Sequence, residues 1–311
     1  MRHVSQLGEF GLIERIARMA GRPAGAGVAL GIGDDAAILR TRPREEVVVT
    51  TDAFVEGVHF RFDQESPGTA GRRAAVGCLS DLAAMGARPL GLLLALALPP
   101  RLPAAQVLGF VRGVLVEARR HACPLVGGNV TRARELSATL TALGATPRGR
   151  ALRRDRGRAG DRLFVTGALG RSALERRQGR VRHVPAPRLA AGRRLARLRG
   201  VGACIDLSDG LVADLGQLCR ASGLAARIDP ARVPRPEGFA AACRRARCDA
   251  ERLAIAGGED YELLFSLRRR GPDAAALARR LGLPVTEIGR FEAGRPGVRG
   301  APAGARGWRH F

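Results

Sequence analysis

Apolar and polar positions recur with two different periods along the first half of the chain. The positions of Leu12, Ile13, Ile16, Ala17 and Ala20 follow helical spacing and predict an amphipathic helix near the start. Further apolar runs predict strands at residues 28–39, 46–51, 90–98, 124–126 and 136–145, and helices at residues 71–85 and 103–121. The alternation of these elements predicts an N-terminal α+β domain over residues 1–148.

The second half repeats this style after a break. Residues 147–160 are rich in Arg and Gly and poor in apolar side chains, which is typical of a linker or a surface loop. Beyond the break, the pattern predicts strands at residues 162–166, 203–207, 263–267 and 285–289, and helices at residues 188–198, 211–221 and 273–281. We therefore predict a second, α/β domain over residues 149–311.

The composition is that of an ordinary globular protein, with 46% hydrophobic and 26% charged residues. The apolar run at residues 90–98 is far shorter than the roughly 20 residues of a membrane helix. Glu9 and Glu14 argue against a signal peptide near the start. Six cysteines without a CxxC pair are typical of a reducing compartment. We expect a cytoplasmic protein with no membrane partner.

The 52 basic residues are all arginine, because the sequence of 311 residues contains no lysine. This excludes a P-loop, a lysine Schiff base and the strand lysine of protein kinases. The net charge of +23 suggests nucleic-acid binding, but arginine is spread over the whole chain and aromatic residues, at 4%, offer few surfaces for base stacking. We expect no nucleic-acid partner, and an arginine-rich nucleic-acid binder remains the alternative from a different class.

Acidic residues interrupt apolar or glycine-rich sequence in four places. These are Asp34 and Asp35 in GIGDDAA, Asp52 after Thr50 and Thr51, Asp81 after Ser80, and Asp206 and Asp209 around Ser208. Carboxylates and hydroxyls without neighbouring thiolate or imidazole favour Mg²⁺ over zinc or copper. The local alternative is that each group forms a turn or caps a helix.

Two glycine pairs accompany these acids, in Gly127-Gly128-Asn129 and in Gly257-Gly258-Glu259. Paired glycines allow a ligand to approach the backbone, and their amides can bind phosphate. Carboxylates, magnesium and glycine turns together indicate nucleotide phosphate chemistry.

Seven segments, in order, resemble thiamine-monophosphate kinases: GEFGLI, GIGDDAA, TTDAFVEGVHF, SDLAAMGARP, GGN, IDLSDGL and GGEDYELLF. That family belongs to a superfamily of ATP-using enzymes that includes aminoimidazole ribonucleotide synthetase. The resemblance implies an α+β, two-domain fold with mixed sheets flanked by helices. It also implies Mg²⁺- and ATP-dependent phosphorylation of thiamine monophosphate to thiamine diphosphate. The runner-up activity is that of another ATP-using synthetase of the same superfamily.

The resemblance also implies roles for individual residues. The metal ligands or their supports would be Asp34, Asp35, Thr50, Thr51, Asp52, Asp81, Asn129, Asp206 and Asp209. The nucleotide contacts would be Gly128, Asn129, Arg154 and Ser208, and the substrate contacts would be His59 and Glu259. An aromatic residue of the family falls at Ala305 here, which leaves Trp308 as its stand-in. Asn129 stands where many members carry Asp, which removes one negative charge from the site.

Three further expectations follow. Family members form homodimers through the N-terminal domain, with ATP bound near that interface, and the apolar strand at residues 90–98 is a plausible contributor. The carboxylates Asp35, Asp52, Asp81 and Asp209 should converge on the bound phosphates. No general base is expected, because a phosphomonoester acceptor is already largely dianionic at neutral pH.

Overall fold

A computed structural model describes residues 3–21, 27–30, 32 and 37–308. The chain divides into two compact units, one of residues 1–82 and 88–148, the other of residues 83–87 and 149–311. In the part of the chain that the structure describes, no helix is both long and apolar enough to cross a membrane.

The first unit is built around a four-stranded sheet. Its elements are α1 (Val4–Ala20), β1 (Val28–Leu30), β2 (Ile38–Leu39), β3 (Glu45–Val55), α2 (Pro67–Ala84), β4 (Arg88–Leu98), α3 (Ala104–Arg120), β5 (Leu125–Arg132) and β6 (Ser137–Pro147). The strand order is β3-β6-β4-β5, with β5 parallel to β4 and the other neighbours antiparallel.

One face of this sheet forms the core of the unit. Leu92, Leu94, Leu96 and Leu98 of β4 are at most 4% exposed on that face, whereas the residues between them are partly exposed on the other. Helix α2 lies against the buried face, since the Sγ of Cys78 donates to the carbonyl of Leu140 in β6.

Helices α2 and α3 pack with their backbones in direct contact. A Cβ at Gly71 would lie 1.9 Å from the carbonyl oxygen of Phe110, and one at Gly113 would lie 2.1 Å from that of Gly68. Any larger residue at Gly71 or Gly113 would therefore force the two helices apart.

The second unit is built around a six-stranded sheet. Its elements are β7 (Arg162–Thr166), α4 (Arg171–Arg177), α5 (Leu189–Leu195), β8 (Val201–Asp206), α6 (Leu211–Ser222), β9 (Ala225–Ile228), α7 (Phe239–Arg245), α8 (Ala250–Ala256), β10 (Leu263–Leu267), α9 (Ala274–Leu281), β11 (Val285–Glu292) and β12 (Gly297–Arg299). The strand order is β12-β9-β11-β7-β10-β8, and only the pair β12 and β9 is parallel.

Alternation along these strands separates two faces. Leu163 and Val165 of β7 face a large apolar core that includes side chains of α6, α7 and α8. Phe164 of β7 and Phe265 of β10 face the other way and stack with ring centroids 5.5 Å apart.

Most predicted elements are confirmed, but several have different bounds; β3 continues to Val55 and β11 to Glu292, where the predictions stopped at residues 51 and 289. Strands β7 and β10 have the predicted bounds. The run 28–39 is not one strand, because β1 and β2 pair with each other antiparallel; the glycine- and aspartate-rich sequence between them disfavours strand. Strand β5 continues through the glycine pair to Arg132, where the prediction stopped at residue 126. Helices α4, α7 and α8, of seven residues each, were not predicted.

Candidate functional site

In the first unit, β3 and α2 bring three of the predicted residues together. Thr50 and Asp52 alternate onto the face of β3 that lies toward α2. The Oγ1 of Thr50 donates to Oδ2 of Asp81 on α2 at 2.5 Å. Burial raises the pKa of the Cys78 thiol, and the negative charges of Asp52 and Asp81 raise it further, so both carboxylates lie near this cysteine. A hydroxyl and two carboxylates thus share one location.

Thr51 lies on the opposite face of the sheet. Its Oγ1 lies 3.0 Å from Oγ1 of Thr141 and 3.2 Å from the carbonyl oxygen of Leu140, both on β6. Side chains of adjacent strand residues point to opposite faces, so the hydroxyls of Thr50 and Thr51 cannot reach the same ion. The structure does not bring the side chain of Thr51 to Asp52 and Asp81.

Gly128 and Asn129 lie on β5, at the other edge of the same sheet. Strand β5 is three strands away from β3, a distance of roughly 14 Å at the usual strand spacing. A Cβ at Gly128 would lie 1.9 Å from the carbonyl oxygen of Leu94, so close strand packing alone requires this glycine. Within the first unit, Asn129 is not brought to the Asp52 and Asp81 pair.

His59 follows β3 in a turn that fixes its imidazole. The backbone N–H of Val55 donates to Nδ1 of His59 at 3.1 Å, and the ring stacks on Phe54 with centroids 5.5 Å apart. Since Nδ1 accepts, the proton of the neutral ring lies on Nε2, which makes Nε2 a hydrogen-bond donor. This tautomer suits the binding of an anionic oxygen better than the removal of a proton.

In the second unit, two of the predicted acidic residues lie between the end of β8 and the start of α6. Asp206 is the last residue of β8, and Ser208 and Asp209 lie in the turn before α6. Asp214, in the first turn of α6, was not predicted as a site residue. Its carboxylate accepts the backbone N–H of Asp209 at 3.1 Å. Burial raises the pKa of Asp214 to about 8, with the charges of Asp206 and Asp209 adding to the effect.

The segment before β10 is tied to this turn by its backbone. The N–H of Glu259 donates to the carbonyl of Ser208 at 2.7 Å, and the N–H of Tyr261 donates to that of Leu207 at 2.9 Å. Glu259 and Tyr261 have φ of 64° and 51°, in the left-handed region that non-glycine residues seldom adopt. Such a conformation persists where surrounding contacts impose it, and these are most common at functional sites.

Arg176 of α4 contacts the carboxylate of Glu259. Its Nη1 lies 2.6 Å from Oε1 of Glu259, and its Nη2 lies 3.4 Å from the carbonyl of Gly258. The neighbouring Asp260 accepts the backbone N–H of Gly170 at 2.7 Å, immediately before α4. The glutamate is therefore held by an arginine whose helix is itself anchored to the same segment. Neither Arg176 nor Asp260 was predicted.

Glu262, the last residue of this segment, belongs to a buried hydrogen-bond network that was not predicted either. It accepts the hydroxyl of Thr166 at 2.6 Å and the Nε of Arg188 at 2.7 Å, and a second nitrogen of Arg188 contacts its other oxygen. This bidentate pair fixes the ends of β7 and β10, where the site residues leave the sheet.

Trp308 and Arg154 lie at two other points of the second unit. The N–H of Trp308 donates to the carbonyl of Asp209 at 2.9 Å, and its side chain is 52% exposed. Ala305, which occupies the position of the family aromatic, packs instead on the apolar core. The carbonyl of Arg154 accepts a hydrogen bond from the hydroxyl of Ser222. Arg154 also lies near β8, since its positive charge lowers the pKa of Cys204 in that strand, against the stronger effect of burial.

The donor set fits magnesium bound together with phosphates. Asp34 and Asp35 lie outside the described residues. Among those that the structure describes, no three His, Cys, Asp or Glu side chains form a group able to hold an ion alone. Mg²⁺ usually takes one or two carboxylates and completes its coordination with water and substrate phosphates. The pairs Asp52 with Asp81 and Asp206 with Asp209 match that requirement.

Comparison with known proteins places both units in one family. Models described as AIR synthase related protein, N-terminal domain, and AIR synthase related protein, C-terminal domain, match residues 33–146 and 158–300. The thiamine-monophosphate kinase of Escherichia coli (strain K12) is 39% identical over 309 residues, which cover 94% of this chain and 92% of that protein.

Solved structures agree over the same length. The thiamine-monophosphate kinase of Stenotrophomonas maltophilia K279a superposes with a TM-score of 0.80 at 39% identity, covering 94% of this chain and 96% of that one. AaThiL, solved in complex with AMPPCP and TMP, superposes with a TM-score of 0.76 at 29% identity, covering 100% of this chain and 99% of that one. These matches confirm the predicted two-domain α+β fold. The chain belongs to the thiamine-monophosphate kinase family of AIR synthase related proteins.

Proposed function

We propose that this chain transfers the γ-phosphoryl group of ATP to thiamine monophosphate, giving thiamine diphosphate. The observation that carries the proposal is similarity over nearly the whole chain to thiamine-monophosphate kinases, including a structure with AMPPCP and TMP. The clustered carboxylates of each unit are what a reaction between two phosphate anions requires.

Magnesium is the metal that the residues suit best. Residues 1–148 would supply Thr50, Asp52 and Asp81, and residues 149–311 would supply Asp206 and Asp209. Asp34 and Asp35 complete the proposed set from the segment outside the described residues. When bound, Mg²⁺ neutralises phosphate charge and so reduces the repulsion between the donor and acceptor.

Arginine must take the part that lysine plays in many ATP sites, since the chain has no lysine. We assign the nucleotide to Arg154, Ser208 and the Gly128-Asn129 segment of β5. An exposed guanidinium such as that of Arg154 offers paired N–H donors to phosphate oxygens. Arg154→Ala should raise the KM for ATP more than the KM for thiamine monophosphate. Arg156, which is also exposed, supplies the control, because Arg156→Ala should leave both values within about twofold.

Substrate binding falls to His59, Glu259 and Trp308. The Nε2–H of His59 can donate to the substrate phosphate, and the carboxylate of Glu259 and the exposed ring of Trp308 suit a cationic aromatic substrate. No residue needs to act as a general base, because the second pKa of a phosphomonoester is about 6 and the acceptor is largely dianionic at pH 7.

We further propose a homodimer formed through the first unit. The face of its sheet away from α2 exposes Val47 by 53% and Val49 by 60%, beside the partly exposed Leu93 and Leu143. An apolar face of this kind on a soluble protein is typical of an interaction surface. Light scattering at micromolar concentration should give about twice the 32.9 kDa monomer mass, and a monomer mass would reject the dimer.

A cytoplasmic location suits the thiols. All six cysteines are described and unpaired, and five of them are buried. Burial raises the pKa of Cys123 to about 12, so this thiol stays protonated and unreactive.

One assay tests the activity against its alternatives. ADP release should depend on Mg²⁺ and should increase when thiamine monophosphate is added. Asp52→Asn and Asp81→Asn should lose this turnover while retaining the thermal stability of the folded protein. A rate of ADP release that does not change when thiamine monophosphate is added would favour another ATP-using synthetase. Duplex binding without turnover would favour the nucleic-acid binder.

A further inference from the structure

Four arginines of the second unit stand in register across four adjacent strands. Arg290 of β11 pairs with Arg227 of β9 on one side and with Arg162 of β7 on the other, and Arg299 of β12 pairs with Arg227. We call these four residues the arginine row. At the usual strand spacing the row is roughly 14 Å long.

All four side chains project from the same face of the sheet. Each lies next to a residue that packs on the core of the other face, namely Leu163, Ala226, Phe291 and Val298. Because successive strand residues alternate between faces, the arginine row lies on the side away from this core.

Like charges directly opposite each other destabilise a sheet, so such a row needs anionic compensation. Glu292 contacts three of the arginines, with Oε1 2.9 Å from Nε of Arg227 and 3.5 Å from Nε of Arg290, and Oε2 3.4 Å from Nη1 of Arg299. Glu287 lies 3.2 Å from Arg162. The chain itself therefore supplies two carboxylates for four guanidinium groups.

A cavity of about 600 Å³ opens over the row. Its lining includes Arg162, Arg227 and Arg290, and adds Arg232, Arg269 and Asp229. The carboxylate of Asp229 already accepts the N–H of Ala231 at 3.0 Å. The row and the cavity together hold six arginines against three carboxylates, Asp229, Glu287 and Glu292, so positive charge is in excess at the surface of a concave site.

The cavity volume is that of a small-molecule site. Arg162, the first residue of β7, is separated by roughly 13 Å of strand from Thr166, whose hydroxyl joins the Glu262 network. The cavity is therefore a feature of the second unit separate from the segment that carries Glu259 and Glu262.

We infer that the arginine row binds a small polyphosphate anion, such as the diphosphate or triphosphate group of a nucleotide or an ester. Guanidinium groups bind phosphate oxygens in a bidentate manner, and neighbouring arginines about 5 Å apart can engage successive phosphates of one chain. The six arginines of the row and the cavity exceed their three carboxylates by three charges, which neither a single carboxylate nor a dianionic monophosphate balances, whereas a diphosphate or triphosphate group can. This inference does not depend on the proposed kinase activity.

Calorimetry of the full chain with inorganic tripolyphosphate tests it. EDTA is present, so that magnesium-dependent binding elsewhere is suppressed. The wild type should bind one equivalent. Arg227→Gln combined with Arg290→Gln should weaken this binding at least about tenfold, because two central donors are lost. Thermal unfolding within a few degrees of the wild type shows that this variant is folded.

The control changes the same charge elsewhere in the unit. Arg244 and Arg245 are exposed on α7, whose Phe239 and Cys243 pack on the core face of the sheet. Arg244→Gln combined with Arg245→Gln should leave tripolyphosphate binding within about twofold. The inference is overturned if both double variants weaken binding equally, if neither does, or if the wild type binds no tripolyphosphate. Tighter binding of a single-stranded oligonucleotide than of tripolyphosphate would also overturn it, in favour of a nucleic-acid surface.

Discussion

Thr50 and Thr51 provide a sharp test of the proposed metal site, because they are adjacent residues on opposite faces of β3. The hydroxyl of Thr50 donates to Asp81, whereas that of Thr51 lies beside Thr141 on the other face. Thr→Val preserves the shape and the strand preference of the side chain and removes only the hydroxyl. The two variants therefore separate a role in the site from a role in the sheet.

A hydrogen bond to a charged group contributes about 1.5–3 kcal/mol, and the partial exposure of Thr50 and Asp81 places the expected loss near the lower end. A loss of about 1.4 kcal/mol corresponds to a tenfold change. We therefore expect Thr50→Val to raise the Mg²⁺ concentration for half-maximal ADP release about tenfold, and Thr51→Val to change it less than about twofold.

The assay is ADP release at saturating ATP and thiamine monophosphate over a magnesium titration, with thermal unfolding to confirm that both variants fold. Equal losses in the two variants would refute the reasoning from strand alternation. An unchanged magnesium dependence in Thr50→Val would remove the hydroxyl from the site.

Three further predictions concern the substrate side and pH. His59→Asn should raise the KM for thiamine monophosphate and leave kcat largely intact, with kcat still falling below about pH 6 as the acceptor protonates; loss of kcat together with loss of that acidic limb would indicate a histidine base. Arg176→Ala should raise the KM for thiamine monophosphate about tenfold because Glu259 loses its ion pair, while Arg177→Ala on the exposed side of α4 should not; similar KM values for the two variants would contradict this. Burial raises the pKa of Asp260 from 3.8 to about 7, so the folded chain keeps a proton that the unfolded chain loses, and stability falls as pH rises between these values. Asp260→Asn should flatten that fall in urea unfolding, and an unchanged pH slope would reject the assignment.

The sequence predicted the strands that are buried on both faces. Strands β7 and β10 match their predicted bounds because each is a short, nearly continuous apolar run. Asp206 at the end of β8 was also predictable, since an aspartate that ends an apolar run stands out. Asp214 was overlooked, although it is an acidic residue that interrupts an apolar run in the same way, among the leucines of α6.

Other parts of the site had no signal in the sequence. Arg176 is one of 52 arginines, and only the fold places it against Glu259. The short strands β9 and β12 were not predicted, and their pairing aligns Arg227 and Arg299 with Arg290. Register between distant strands depends on tertiary packing, which local periodicity does not encode. For Thr51, in contrast, the sequence did carry the signal. Strand alternation alone separates its side chain from that of Thr50, although the family resemblance assigned both residues to the metal site.

Because the chain contains no lysine, arginine provides the positive charge that pairs with the buried glutamates of the second unit. Glu259 and Glu262 are each paired with an arginine, Arg176 and Arg188, whereas Asp260 is satisfied by backbone N–H groups. A guanidinium keeps its charge throughout the accessible pH range. Arg188 contacts both oxygens of Glu262, whereas Arg176 contacts one oxygen of Glu259 and the carbonyl of Gly258. Backbone amides offer no such charge, and burial raises the pKa of Asp260 into the neutral range. Within four consecutive residues, the chain therefore combines two carboxylates positioned by permanent positive charge with one whose pKa is raised by burial.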